Sequence, residues 1–277
     1  MDLLSKETMS EGVEARAQVQ LTAPRARAAD LVALARPRQW TKNSVCLAAL
    51  IFSGQLTDPV SRSRSLVGLL VFCLASSAIY VFNDIGDRAQ DRVHPTKRAR
   101  PLASGSLSVR AALAEGALLA AAAFGLSWLL SERFRWVLAG FLALEILYTL
   151  VLKRVPIADV MVIAVGFVLR VQSGIEAIFA PQSAWILLCM FFMALFLGFG
   201  KRRGELALFR GDDVRAQRPV LGSYSLTYLD IGLALSATTA MVCYSLYAVT
   251  VQRNETFLVT VLPVAFGILR YMMLVVV

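Results

Sequence analysis

An asparagine and three aspartates recur at short spacing in Asn83-Asp84-Ile85-Gly86-Asp87-Arg88-Ala89-Gln90-Asp91, and a basic block, Lys97-Arg98-Ala99-Arg100-Pro101, follows closely. On a helix, at about 100° per residue, Asn83, Asp84, Asp87 and Asp91 fall within an arc of roughly 100°. Four oxygen donors therefore share one face. Carboxylates this close repel one another unless a cation lies between them. Oxygen-only ligands suit a hard ion such as Mg²⁺, which is commonly held by a few carboxylates together with substrate phosphates. Lys97, Arg98 and Arg100 offer the charged donors that phosphate oxygens accept. The stretch reads as a Mg²⁺-diphosphate site, with Asp84, Asp87 and Asp91 as its acting carboxylates and Asn83 as a further ligand.

Other charged residues sit where plain apolar chain is expected. Arg36-Pro37-Arg38-Gln39-Trp40-Thr41-Lys42-Asn43 opens an apolar run. Pro37 suits a helix start and Trp40 an interfacial anchor. Lys42 and Asn43 read equally as a snorkelling pair or as phosphate ligands. Tyr148 and Lys153 precede Pro156, and Asp159 follows it, where a carboxylate also suits a helix N-terminus. Arg170 is embedded among Phe167, Val168, Leu169 and Val171. An intramembrane arginine costs a few kcal/mol or more unless it meets a polar cavity or a partner. A cavity-facing role is favoured for it, and Glu145 is a candidate partner. Lys201, Arg202 and Glu205 stand at helical spacing, so a local ion pair and a substrate-facing role are both open.

The elements that position these residues are membrane helices. The chain is 57% hydrophobic with a mean hydropathy of +0.64, against about 45–50% for a soluble domain. Eight apolar spans are expected, at about 40–57, 66–84, 108–130, 135–152, 157–178, 183–200, 227–249 and 257–277, near the length a bilayer requires. With the N-terminus inside, the inner segments carry 21 Lys or Arg and the outer ones 5, as the positive-inside rule demands. Topology thus accounts for most of the net charge of +9, and nucleic-acid binding is not expected. Residues 1–30 lack an apolar stretch and read as a mobile cytoplasmic tail, with one domain over 31–277. Cys46, Cys73, Cys189 and Cys243 all lie in apolar runs without a CxxC pair, so they read as buried thiols. The single histidine, His94, sits beside a proline in a charged loop and supports neither a zinc site nor a hydrolase triad. The motifs after spans two and six return to one side, which fits two four-helix halves facing a cytoplasmic cavity.

Asn83-Asp84-x-x-Asp87-x-x-x-Asp91, leading to Lys97-Arg98-x-Arg100-Pro101-x-Ala103-x-Gly105, resembles the first aspartate motif of the UbiA superfamily of intramembrane prenyltransferases. Three further segments are similar to its decaprenyl-phosphate phosphoribosyltransferase branch: Arg36 to Asn43, Tyr148-x-x-x-Leu152-Lys153 with Asp159 and Arg170, and Gly200-Lys201-Arg202-x-x-Glu205-Leu206. Relatives that act on aromatic acceptors carry a second aspartate motif where this chain has Lys201, Arg202 and Glu205.

The resemblance implies an all-α polytopic bundle in the inner (plasma) membrane, with its active-site loops cytoplasmic. Eight spans leave the superfamily's ninth helix without a counterpart. It also implies a Mg²⁺-dependent enzyme moving a 5-phosphoribosyl group from phosphoribosyl diphosphate to a polyprenyl phosphate, in service of cell-wall biosynthesis. Lys42, Asn43, Lys97, Arg98, Arg100, Tyr148, Lys153, Asp159, Arg170, Lys201, Arg202 and Glu205 are then the substrate-binding set. A rival reading is a prenyltransferase using a prenyl diphosphate and an aromatic acceptor. A third is a transporter or lipid-binding scaffold with Asp84 and Arg170 in an ion path.

Overall fold

The computed structural model describes residues 28–208, 219–252 and 255–276. The expected N-terminal tail lies almost wholly outside the described residues, as does the first part of the loop between Arg210 and Tyr228. All regular elements among the described residues are helical. A short α1 (Ala28–Ala35) leads into a run of 3₁₀ helix, Pro37–Leu47, that continues as α2 (Ala48–Phe52). The long α3 (Pro59–Gly86) is followed by the short α4 (Arg88–Val93) and α5 (Pro101–Ser104). Then come α6 (Val109–Ser127), α7 (Glu132–Leu150), α8 (Ala158–Ile178) and α9 (Ala184–Leu208). α10 (Leu226–Tyr247), α11 (Glu255–Leu258) and α12 (Val261–Val276) complete the described chain.

The helix starts follow from side chains that satisfy the first free N–H groups. Asp58 accepts from the Ser61 amide at 2.8 Å, Ser108 from Ala111 at 3.2 Å and Ser131 from Phe134 at 3.1 Å. Pro59 occupies the first turn of α3, where its missing N–H costs nothing. At 28 residues, α3 is about 42 Å long, longer than the ~30 Å hydrocarbon layer.

Among the described residues, five helices are long and apolar enough to cross a membrane: α3, α6, α8, α9 and α10, the last continuing as π-helix to Gln252. These match five of the eight expected spans. The other three are helical but differ in kind. The 40–57 stretch is divided between 3₁₀ and α segments, with Gly54 at φ +73°. α7 carries Glu132, Arg133, Arg135 and Glu145, and α12 has only 16 residues.

The two largest of four apolar clusters among the described residues share α8. Phe72, Phe134, Phe141 and Val171 pack where α3, α7 and α8 meet. Val160, Phe196, Leu229 and Ile268 pack where α8, α9, α10 and α12 meet. α8 is the wall between these two clusters. The 3₁₀ run lies hard against that wall: a Cβ on Gly174 would stand 2.0 Å from the Cys46 carbonyl oxygen. Only glycine allows this approach, which brings Asn43 to the side of α8 that holds Arg170. All four cysteines are buried and free, as expected.

Candidate functional site

The aspartate segment is a helix with a joint. α3 ends at Gly86, and Asp87, at φ −88° and ψ 1°, links it to α4. Helical bonding carries across, with the Asp87 amide donating to the Asn83 carbonyl and the Asp91 amide to the Asp87 carbonyl, each at 2.9 Å. The expected shared face is thereby kept in the backbone but divided between partners. Asp84 and Asp91 are buried and both reach the same guanidinium nitrogen: Arg100 Nη1 donates to Asp84 Oδ1 at 3.1 Å and to Asp91 Oδ2 at 2.7 Å. Arg36 also pairs with Asp84, while its guanidinium lies over the Tyr80 ring. Lys97 reaches Asp91 at 4.0 Å. Asp87 stays 38% exposed and pairs with Lys153 at 3.4 Å. Arg98 is exposed.

The spacing demands a cation among the carboxylates, and Arg100 supplies one. The donors are oxygens throughout, Asp84 and Asp91 converge, and Asp87 remains open. These residues fit Mg²⁺ held jointly with phosphate. Among the described residues, no three His, Cys, Asp or Glu side chains gather tightly enough to hold a metal alone. Mg²⁺ does not need such a cage, since it is usually bound through one or two carboxylates plus substrate phosphates.

A second cluster is built on the 3₁₀ run and α8. Arg170 is only 5% exposed, and its Nε donates to Asn43 Oδ1 at 2.8 Å. Its guanidinium lies over Phe141 at 4.6 Å and Phe167 at 5.3 Å. Glu145, the candidate partner, is an electrostatic neighbour of Arg170; the hydrogen bond goes to the neutral amide of Asn43, which the Gly174 contact brings within reach. Glu145 borders the same space: an added Cβ on Gly166 would lie 3.3 Å from Arg170 Nη1 and 3.8 Å from Glu145 Oε1. Lys42 is exposed, and its electrostatic neighbours are Lys201, Arg170 and Arg36, opposed by Glu145. Glu145 is the one carboxylate among these neighbours, while Lys201 and Arg36 also have Glu205 and Asp84 beside them. Tyr148 lies near the end of α7, shortly before Lys153.

The third cluster lies where α8 and α9 face the loop before α10. Arg202 is 1% exposed and Asp159 fully buried. Arg202 Nε donates to Asp159 Oδ2 at 2.7 Å and its Nη1 to Glu205 Oε2 at 2.8 Å. Tyr224 donates its phenolic hydrogen to Asp159 Oδ1 at 2.6 Å and accepts the Ile157 amide at 2.6 Å. Burial, then the hydrogen bond to Asp159, push the Tyr224 phenol well above the ordinary tyrosine range. Of the two roles open to the Lys201–Glu205 segment, the ion pair accounts for Arg202. Lys201 is 64% exposed and only 3.8 Å from Glu205, so it remains available to a substrate.

Beside the aspartates runs an apolar groove of about 430 Å³ between α3, α6 and α7, lined by Ile79, Phe82, Leu142 and Ile146, with Asn83 and Asp87 at its polar end. From sequence, Tyr224 reads only as the end of a cavity-covering loop from Arg210 to Tyr228, and Arg36 only as a member of the Arg36 to Asn43 segment. The fold gives each a carboxylate partner, Asp159 for Tyr224 and Asp84 for Arg36. His94 plays a local part: its Nδ1 accepts from the Thr96 and Lys97 amides at 3.2 and 3.3 Å.

The helical bundle thus sets a cluster of aspartates and cations beside an apolar groove. The chain matches the model of the UbiA prenyltransferase family over residues 44–276, and it belongs to that family. It is 36% identical over 263 residues to the decaprenyl-phosphate phosphoribosyltransferase of Mycolicibacterium smegmatis, spanning 90% of this chain and 82% of that protein. The enzyme of the same name from Corynebacterium glutamicum is 33% identical, over 90% of this chain and 77% of that one. A UbiA homologue from Archaeoglobus fulgidus, solved with DMAPP and Mg²⁺, superposes with a TM-score of 0.74 at 20% identity, covering 88% of this chain and 86% of that one. The protein is a multi-pass membrane enzyme, a UbiA-type transferase.

Proposed function

We propose that the enzyme transfers a 5-phosphoribosyl group from phosphoribosyl diphosphate to a polyprenyl phosphate and releases diphosphate. The observation that carries this reading is the gathering of Lys42, Arg170 and Lys201, with Glu145 the one carboxylate among the charged neighbours of Lys42. A donor with a phosphate beyond its diphosphate supplies a further anion. The names of the mycobacterial and corynebacterial relatives support the same donor and acceptor.

Asn83, Asp84, Asp87 and Asp91 would hold Mg²⁺, and the ion would supply charge neutralisation of the diphosphate leaving group. Lys153, beside Asp87, and Arg98 and Arg100 bind diphosphate oxygens. Lys42, Arg170 and Lys201 receive the ribose 5-phosphate and the lipid phosphate. As the bond from the anomeric carbon to diphosphate lengthens, positive charge develops on the ribose ring, as in other glycosyl transfers. A carboxylate of the aspartate segment stabilises it, and an oxygen of the acceptor phosphate forms the new bond. That phosphate is already ionised near neutrality, so no general base is needed. The groove ending at Asn83 and Asp87 takes the polyprenyl tail. Mutating Arg202, Asp159 or Glu205 acts through the fold that surrounds this pocket.

The groove also favours a second reading, since a prenyl diphosphate donor would place its chain there. One assay separates the two. Membranes containing the enzyme are incubated with Mg²⁺, polyprenyl phosphate and labelled phosphoribosyl diphosphate, and in parallel with labelled prenyl diphosphate and an aromatic acceptor. Labelled lipid in the first arm, with a donor KM raised about tenfold by Lys201→Gln, supports the proposal. Turnover in the second arm alone sinks it.

A further inference from the structure

Ile157 is the most improbable backbone position in the described chain. Its φ is +68° and ψ −50°, a region a β-branched residue rarely enters. The Ala158 amide donates to the Pro156 carbonyl at 2.8 Å, closing a three-residue γ-turn of the rare, strained kind. The remaining N–H of the turn, that of Ile157, points to Tyr224 Oη at 2.6 Å. The same phenol donates to Asp159, so one side chain holds both flanks of the turn. Tyr224 is itself fixed, being 8% exposed and stacked on Tyr228 with ring centroids 5.8 Å apart. Packing cannot be what holds Ile157, whose side chain is 44% exposed.

The turn has a consequence a few residues away. Leu152–Arg154 is a single 3₁₀ turn between α7 and the γ-turn, and Lys153 on it meets Asp87 at 3.4 Å. The direction in which this segment leaves α8 is set at Ile157. Strained backbone persists only where its surroundings over-determine it, and it concentrates at functional sites.

We propose that Tyr224 is a positioning residue for the aspartate site: by holding Ile157 in its positive-φ turn it places Lys153 against Asp87. It touches no substrate. This inference rests on the reading of Asp87 and Lys153 as donor machinery, and not on which donor that machinery takes.

The test is a pair of substitutions, assayed with whichever donor the wild type turns over. If phosphoribosyl diphosphate proves the wrong donor, that appears in the wild type and leaves the comparison of variants intact. Tyr224→Phe keeps the ring and removes the hydroxyl. It should lower kcat/KM about tenfold, as the turn relaxes and Lys153 withdraws. Ile157→Gly alone should leave activity near wild type, because glycine occupies positive φ without steric cost. Added to Tyr224→Phe, it should restore most of the lost rate. The rescue is the decisive readout, since glycine at 157 does nothing for the lost Asp159 bond and mends only the turn. If the single Tyr224→Phe protein fails to accumulate, the double variant is read alone, and its activity near wild type gives the same support. Wild-type activity in Tyr224→Phe, or a double variant as impaired as the single one, overturns the proposal.

Discussion

Two ion clusters in this protein use the same side-chain types to opposite ends. Around the aspartate segment, Asp84 and Asp91 share Arg100, Asp87 stays open, and the cations are 26–42% exposed. Around Asp159, the Arg202 guanidinium is 1% exposed, and one carboxylate receives both a guanidinium and a phenol. Exposure makes the difference. A half-exposed pair is worth little in water and yields to a competing ligand. A buried pair cannot lose a partner without leaving a charge stranded. The first arrangement leaves groups open to an incoming ligand, and the second ties helices together and, through Tyr224, holds the turn at Ile157. Residue type alone does not separate them, since each contains arginine beside aspartate.

The largest effect should come from breaking the buried cluster. Arg202→Met strands Asp159 in an apolar interior and should cost about 3–5 kcal/mol of stability, read as a large fall in the detergent-solubilised melting temperature. The mirror experiment sharpens the contrast. Asp87→Asn should leave the melting temperature nearly unchanged while lowering turnover at least about a hundredfold, because charge at the leaving group is lost but no buried group is orphaned. Equal melting losses in the two variants would show that the clusters do not divide as argued.

How much of this was legible beforehand depended on the distance over which the determinants act. The face shared by Asn83, Asp84, Asp87 and Asp91 follows from local spacing, and helical bonding from α3 into α4 keeps it. The cation that relieves the aspartates was also foreseeable, because Arg100 stands in the adjoining block. What could not be read was which long-range partner each charge finds. Arg170 meets Asn43 across 127 residues, only because Gly174 lets the backbones touch. Arg202 reaches Asp159 across 43 residues, so a segment that reads as a surface ion pair has one member in the interior. The 40–57 stretch is helical as expected, but its division into 3₁₀ and α segments with a break at Gly54 has no signature in its composition.

The smallest expected effect concerns the phenol that closes the buried cluster. The raised pKa of Tyr224 means that the folded protein favours the neutral, hydrogen-donating form. The sign follows directly. A phenol whose folded pKa exceeds its unfolded value contributes stability fully below the unfolded pKa, and that contribution fades only as pH climbs through the folded one. The Asp159 and Ile157 contacts should therefore persist through neutral and mildly alkaline pH, and Tyr224 should ionise later than an ordinary tyrosine. Phenolate absorbance resolves this in a difference titration of wild type against Tyr224→Phe, where the missing increment should fall in the late, alkaline part of the curve. Were it to fall in the ordinary tyrosine range, the phenol would be solvated, and the cluster around Asp159 would be as open to ligands as the one around Asp87.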